Sequence, residues 1–215
     1  MAFTGWPEAA LEFYEGLEID NSKAYWTAHK TVYTESVLGP MTELAEELAA
    51  RFGEVKIFRP NRDIRFSADK SPYKTAIGAL IGTGYLQLSA RGLAAGNGMY
   101  HMAPDQIDRY RQAVASDLTG PELVKIIDVI TGQAIDVHGM DALKTAPRGY
   151  PADHPRADLL RNKGLVAWQD WPVEPWLGTA AAKDRIAGFL TATEPLAGWL
   201  DAQVGASAVA ESRRR

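Results

Sequence analysis

The first fifty residues contain three stretches in which apolar residues recur every three or four positions. This is the period of a helix with one buried face, and the stretches cover residues 7–17, 22–37 and 41–52. Gly39-Pro40 is expected to interrupt the chain between the second and third helices, because proline cannot donate the helical hydrogen bond. The pattern predicts an N-terminal layer of amphipathic helices.

After Gly53 the apolar positions alternate or form short runs, which is typical of β-strands. Short turns that contain glycine separate the runs, as at Gly82-Thr83-Gly84. Such short connections join antiparallel strands, whereas a parallel crossover needs a dozen or more residues. The pattern predicts an antiparallel meander from about residue 55 to residue 100, with a further short strand at 62–66.

Helical periods return after the meander, with helices opened by Pro104 and Pro121 and a last helix over about 180–204, broken near Pro195. Short strands are expected near 135–137 and 165–168. We predict one α+β domain over residues 1–205, in which N-terminal and C-terminal helices flank the antiparallel sheet. Residues 206–215 are expected to form a disordered tail.

Composition narrows the classes of function. The chain has 215 residues, a net charge of −4 and no cysteine, which excludes disulfides, thiolate metal sites and cysteine catalysis and agrees with a cytoplasmic location. No apolar run approaches the roughly 20 residues of a membrane helix. An acidic total argues against non-specific binding of nucleic acid, since that binding depends on phosphate neutralisation. Composition gives no oligomeric state.

The stretch from Lys56 to Lys74 reverses the charge of its surroundings, with six basic residues against two acidic ones. The basic residues Arg62, Arg65, Lys70 and Lys74 suit a pocket for a phosphate or carboxylate, in which arginine is a bidentate donor and lysine a point charge. The alternative is a structural network of ion pairs with Asp63 and Asp69. Surface pairs contribute little stability, so a network alone explains this clustering poorly.

Three residues are candidates for proton transfer or for orientation of a ligand: His29, Tyr73 and Arg148. For His29 the alternative is a core histidine, because it lies on the apolar stripe of its helix. The histidines are scattered singly and no motif for a metal, a nucleotide phosphate or a serine nucleophile is present. We therefore expect no metal and no cofactor.

The central motif resembles the signature of a known family. Arg62-Asp63-Ile64-Arg65-Phe66-Ser67 followed by Asp69-Lys70-Ser71-Pro72-Tyr73-Lys74 is similar to the signature of a bacterial family of conserved hypothetical proteins, catalogued as a domain of unknown function. Further pieces agree in order, including Asn21 with Trp26, and the likeness spans about residues 3–170. The resemblance implies one intact domain and no particular activity.

Two hypotheses of function follow. The first is a protein that binds a small anionic ligand through Arg62, Arg65, Lys70 and Lys74, with the pattern leaving open whether it is an enzyme. The second is an interaction or scaffold protein, in which these charges form structural ion pairs. In that case an apolar patch at Trp168, Trp171 and Trp176 would contact another protein.

Overall fold

The computed structural model describes residues 2–65 and 68–209. The chain begins with a run of helices that ends at Phe52. In order these are α1 (Glu8–Ile19), α2 (Lys23–Ala28), α3 (Lys30–Val32), a π-helix (Tyr33–Leu38) and α4 (Gly39–Phe52). Apolar residues at helical spacing on α1 are buried, as the sequence pattern predicts.

A six-stranded sheet follows, in the order β1-β2-β3-β4-β6-β5. Its strands are β1 (Val55–Ile57), β2 (Ala76–Ile81), β3 (Gly84–Ser89), β4 (Gly92–Met99), β5 (Asp136–Met140) and β6 (Gly164–Trp171). The first four strands form the antiparallel meander expected between residues 55 and 100. The α+β class is confirmed.

The second half of the chain contains further helices. They are α5 (Pro104–Ala115), α6 (Gly120–Thr131), α7 (Ala157–Leu160), a 3₁₀ turn (Pro175–Gly178) and α8 (Ala181–Gln203). No helix within the described residues combines the length and the apolar character that crossing a membrane requires.

Two expected breaks and one expected strand are wrong. At Gly39-Pro40 the chain stays helical, because Gly39 donates to Thr34 O in a widened π-turn and Pro40 falls in the first turn of α4, where its missing N–H costs nothing. Pro195 lies inside α8. Burial of its neighbours Leu196 and Leu200 offsets the roughly 3 kcal/mol that an internal proline costs. Residues 62–65 form no strand, and Phe66 lies outside the described residues.

Backbone contacts divide the chain into two compact units. The first contains residues up to 95 together with 170–190, and the second contains 96–169 together with residues from 191 onward. Strands β4 and β6 and helix α8 run through both units. The single domain expected over residues 1–205 stays a prediction.

In the first unit, the two faces of the meander differ. Ile77, Ala79 and Ile81 of β2 are buried on the face that packs against α4, together with Leu86 and Leu88 of β3. The alternate positions point the other way, since successive side chains of a strand face opposite sides. On that outer face the register sets Gly78 of β2 beside Gln87 of β3.

In the second unit, Arg156 closes the C-terminal end of α5. Its side chain is 9% exposed and donates to the carbonyl oxygens of Val114 at 2.6 Å, Ala115 at 3.0 Å and Ser116 at 3.2 Å. A helix end leaves such carbonyls without partners, and a basic side chain satisfies them. The short helix α7 follows, without a side-chain cap at its first turn.

Part of the expected tail is described in this unit. Ala206 O accepts from Arg109 Nη2 at 2.8 Å, and Ser207 Oγ donates to Asp105 Oδ1 at 2.7 Å. Residues 210–215 lie outside the described residues.

We expect Arg156→Ala to lower the free energy of unfolding by roughly 2–4 kcal/mol, because three carbonyls at the end of α5 lose a charged donor. Asp117→Ala is the matched control. Asp117 Oδ1 accepts from Arg156 at 3.1 Å, but the carboxylate is solvent-exposed, so its removal should change stability by less than about 0.5 kcal/mol. Urea denaturation measures both, and equal losses would contradict the assignment of the cap to the carbonyls.

Candidate functional site

A pocket of about 560 Å³ lies on the outer face of the β1–β3 meander. It combines two cations, two aromatic rings, two hydrogen-bonding side chains and two small residues. They are Arg62, Lys74, Phe58, Tyr85, Thr75, Gln87, Ala76 and Gly78. A volume in this range is typical of pockets that hold small molecules.

The strand alternation places Lys74 at this pocket. Arg62 N donates to Pro72 O at 2.9 Å and Lys74 N donates to Pro60 O at 2.8 Å, so residues 60–62 and 72–74 extend the antiparallel pairing of β1 and β2. In this extension Tyr73 points inward and is 7% exposed. Lys74, one position later, points outward and lines the pocket.

Tyr73 is fixed by residues of the N-terminal helices. The Asn21 side chain donates to Tyr73 O at 3.1 Å and accepts from Tyr73 N at 3.0 Å. The Tyr73 ring stacks on Trp26, with the ring centroids 4.3 Å apart and the planes at 9°. The backbone beside Lys74 is therefore held on both sides, by its strand partner and by Asn21.

Gly78 forms the floor of the pocket, beneath the rings of Phe58 and Tyr85. A Cβ atom at Gly78 would lie 2.9 Å from Tyr85 Oη and 3.3 Å from Phe58 Cδ2, so any larger residue would displace the rings. Lys74 Nζ lies 5.3 Å from the centroid of the Phe58 ring, and Lys56 Nζ lies 5.8 Å from it. These cation–π contacts orient Lys74 over an apolar surface while its ammonium donors stay available.

Arg62 is partly buried and carries one ion pair. Its side chain is 32% exposed and Nη1 donates to Asp69 Oδ2. Asp69 Oδ1 also accepts from the backbone N–H of Ser71 at 2.9 Å. The hydrogen bonds from Ser71, and then the one from Arg62, hold the pKa of the Asp69 carboxyl well below its usual range.

The side chains of Arg65 and Lys70 bind other residues of their own loop. Arg65 binds Asp63 through Nε at 2.9 Å and Nη2 at 2.6 Å, a bidentate pair that lowers the pKa of Asp63 to about 2. Lys70 Nζ donates to Ile64 O at 3.0 Å. Neither side chain lines the pocket. Of the four basic residues selected from the sequence, the pocket brings Arg62 and Lys74 together.

The lowered pKa values of Asp63 and Asp69 set the pH range over which their two ion pairs persist. Both carboxyl groups are ionised above their unfolded pKa near 4, so the pairs contribute fully there and are lost only as the pH falls through the lower folded values. The charge pattern of the loop is therefore constant between pH 5 and pH 8.

The three candidates for proton transfer have other environments. His29 sits between α2 and α3, where Nδ1 is 2.9 Å from Tyr25 O and the ring stacks on Tyr25. Tyr73 is the buried anchor. Arg148 is an exposed loop residue of the second unit. None of them is among the residues that line the pocket.

Sequence reasoning missed Phe58, Tyr85 and Gln87 as lining residues. Their signal was present, because Tyr85 and Gln87 occupy the polar positions of an alternating strand and so share its outer face. All three residues are uncharged, so the charge pattern that marked the neighbouring loop did not include them.

The tryptophans of the expected partner patch make contacts within the chain. In the first unit the Trp171 ring packs edge-on against Trp176 and Phe189, with centroids 6.3 Å and 6.0 Å away. The Arg185 guanidinium lies 4.6 Å from the centroid of Trp176.

Fold and site together define an α+β protein with a pocket at one sheet face, in which cations adjoin aromatic rings. Among the described residues, no group of three or more His, Asp or Glu side chains is placed to hold a metal ion. The chain belongs to the family of conserved hypothetical proteins DUF2461, whose model matches residues 9–199. No curated protein and no solved structure is detectably similar to it.

We expect Asn21→Ala to lower the free energy of unfolding by roughly 1–3 kcal/mol, because the backbone N–H and C=O of Tyr73 lose their partner. Asn61→Ala makes the same chemical change at an exposed residue of the facing strand and should cost less than about 0.5 kcal/mol. Denaturant unfolding of both variants tests this. Equal stabilities would show that the Asn21 amide does not hold the motif.

Proposed function

We propose that the protein binds a small ligand with a phosphate or carboxylate group in the pocket formed by β1, β2 and β3. The observation that carries this proposal is the chemistry of the polar groups at the pocket. Three of these groups present N–H donors, and an acceptor-rich anion is the ligand that such donors complement.

Three side chains supply these donors. Arg62 gives one N–H to Asp69 and has further N–H groups on the same guanidinium. Lys74 presents an ammonium group that lies over the Phe58 ring. The Oε1 atom of Gln87 accepts from Tyr85 Oη at 2.8 Å, which leaves the amide N–H₂ of Gln87 to donate to a ligand.

Charge and burial favour an anion as well. The chain as a whole has a net charge of −4, so a local excess of positive charge is opposite in sign to the rest of the protein and attracts anions to this place. Arg62 is about two-thirds removed from solvent, and partial desolvation strengthens its interaction with an opposite charge.

The proposal is one of binding. Among the described residues that line the pocket, none is a histidine, aspartate or glutamate, the side chains that most often transfer protons near neutral pH. The proposed location is the cytoplasm, in keeping with a sequence that has no cysteine.

We expect Arg62→Gln and Lys74→Gln each to weaken the binding of inorganic phosphate roughly 10- to 100-fold, the range for a hydrogen bond to a charged group. Lys70→Gln is the matched control, since it removes one charge at a residue outside the pocket. Screening should keep its effect to about twofold. Isothermal titration calorimetry measures the affinities, and circular dichroism confirms that the variants are folded.

A result in which all three variants bind phosphate like the original protein would sink the proposal. Uniform weakening by all three would point to a general effect of charge in place of a pocket.

We expect Asp69→Asn to tighten phosphate binding several-fold. Asparagine keeps an oxygen for the Ser71 N–H but removes the negative charge that competes for Arg62. The same titration measures it, and Asp63→Asn is the control because Asp63 pairs with Arg65 outside the pocket. Weaker binding in Asp69→Asn would mean that the carboxylate positions Arg62 for the ligand and does not compete with it.

A further inference from the structure

A second depression adjoins the pocket in the same unit. It has a volume of about 450 Å³ and shares Gln87 with the first, so the two meet at one side chain. Its other lining residues are Ser89, Arg91, Gly92, Leu93, Ala94, Asp170, Trp171 and Pro172. The outer face of the sheet therefore carries a groove made of two depressions, one lined by Lys74 and the other by Arg91, with Gln87 at their boundary.

The strand register relates the positions of the two cations Lys74 and Arg91. Ala76 of β2 pairs with Ser89 of β3, Lys74 lies two residues before Ala76, and Arg91 lies two residues after Ser89. Both cations therefore lie at the same end of the β2–β3 ladder. Arg91 belongs to the turn into β4, so the two are separated by one to two strand spacings, roughly 5–10 Å.

The backbone that carries Arg91 is fixed. Ser89 Oγ accepts from Arg91 N at 3.2 Å. Gly92 follows with a φ of +116°, and a Cβ atom there would lie 2.3 Å from Trp171 O, so the turn packs directly on the end of β6. Trp171 itself is held by its ring contacts with Trp176 and Phe189. Arg91 thus projects from a preformed rim, and its exposed side chain can reach a ligand in the groove.

The size of the groove exceeds that of a lone anion. Each depression alone falls in the range of several hundred Å³ that encloses a drug-sized molecule, and a phosphate or carboxylate would fill only a corner of the first. The remaining space is lined by rings, small residues and the Gln87 amide, which suits an uncharged middle portion.

We infer that the groove takes a ligand with two acidic groups, one at Arg62 and Lys74 and the other at Arg91, whose middle lies on the outer face of the sheet beside Gln87. This inference rests on the proposed function, because the first acidic group is the anion of that proposal. Asp170 lines the second depression together with Arg91, so repulsion between like charges limits the number of acidic groups that this depression can hold. A ligand with two defined ends fits this charge distribution better than a charged polymer does.

The test is a titration with linear α,ω-dicarboxylates of increasing length, beside monocarboxylates of the same lengths. We expect affinity to pass through a maximum at an intermediate length, where the dicarboxylate binds roughly tenfold tighter than its monocarboxylate. Arg91→Gln should remove this gain and change the affinity for monocarboxylates and inorganic phosphate by no more than about twofold. Arg51→Gln, an exposed change on α4 with the same loss of charge, should leave the gain intact.

The outcomes separate the two proposals. Phosphate binding that depends on Arg62 and Lys74, with dicarboxylates no tighter than monocarboxylates, would overturn the two-ended ligand and leave the proposed function standing. Affinity that rises without a maximum for longer polyanions, and falls steeply with salt, would overturn it in favour of a polymer. Absence of binding by phosphate and by every carboxylate would overturn both.

Discussion

The site depends on the way in which Tyr73 is held. The Asn21 amide satisfies both backbone groups of this residue, and Trp26 stacks on its ring. Because side chains alternate along a strand, an inward Tyr73 forces Lys74 outward. The contact that anchors the motif to the N-terminal helices therefore also aims a cation at the pocket. The inward side of this strand anchors the motif, and its outward side presents Lys74 to the pocket that is proposed to bind a ligand.

The spacing of apolar residues along the sequence predicted most of the fold. The helical stretches before Phe52 and the alternating strands after Gly53 are strong local patterns, and local patterns need no knowledge of distant residues. The failures at Gly39-Pro40 and Pro195 have a common cause. Proline opposes a helix locally, but a π-turn in one case and buried neighbours in the other outweigh that preference, and neither is visible in a window of sequence.

The site was less predictable than the fold. Charge marked a stretch that contributes Arg62 and Lys74 to the pocket, yet it could not divide the basic residues between loop and pocket. That division is set by loop geometry: Arg65 meets Asp63 two residues away, and Lys70 reaches the carbonyl of Ile64. Phe58, Tyr85 and Gln87 reach the pocket from other parts of the meander, so only the strand register brings them beside Arg62 and Lys74.

The Arg62–Asp69 pair bears on the stability of the proposed anion site before a ligand arrives. An arginine beside Lys74 without a counter-ion would suffer repulsion, and Asp69 relieves it. Asp69 also accepts from Ser71, so it retains a partner if a ligand displaces it from Arg62. An incoming phosphate or carboxylate would compete with Asp69 for Arg62, which would offset part of the contribution of Arg62, and Lys74 and Gln87 would add to the binding. Affinity for a lone anion should accordingly be modest, and a ligand that binds tightly must draw on the rest of the groove.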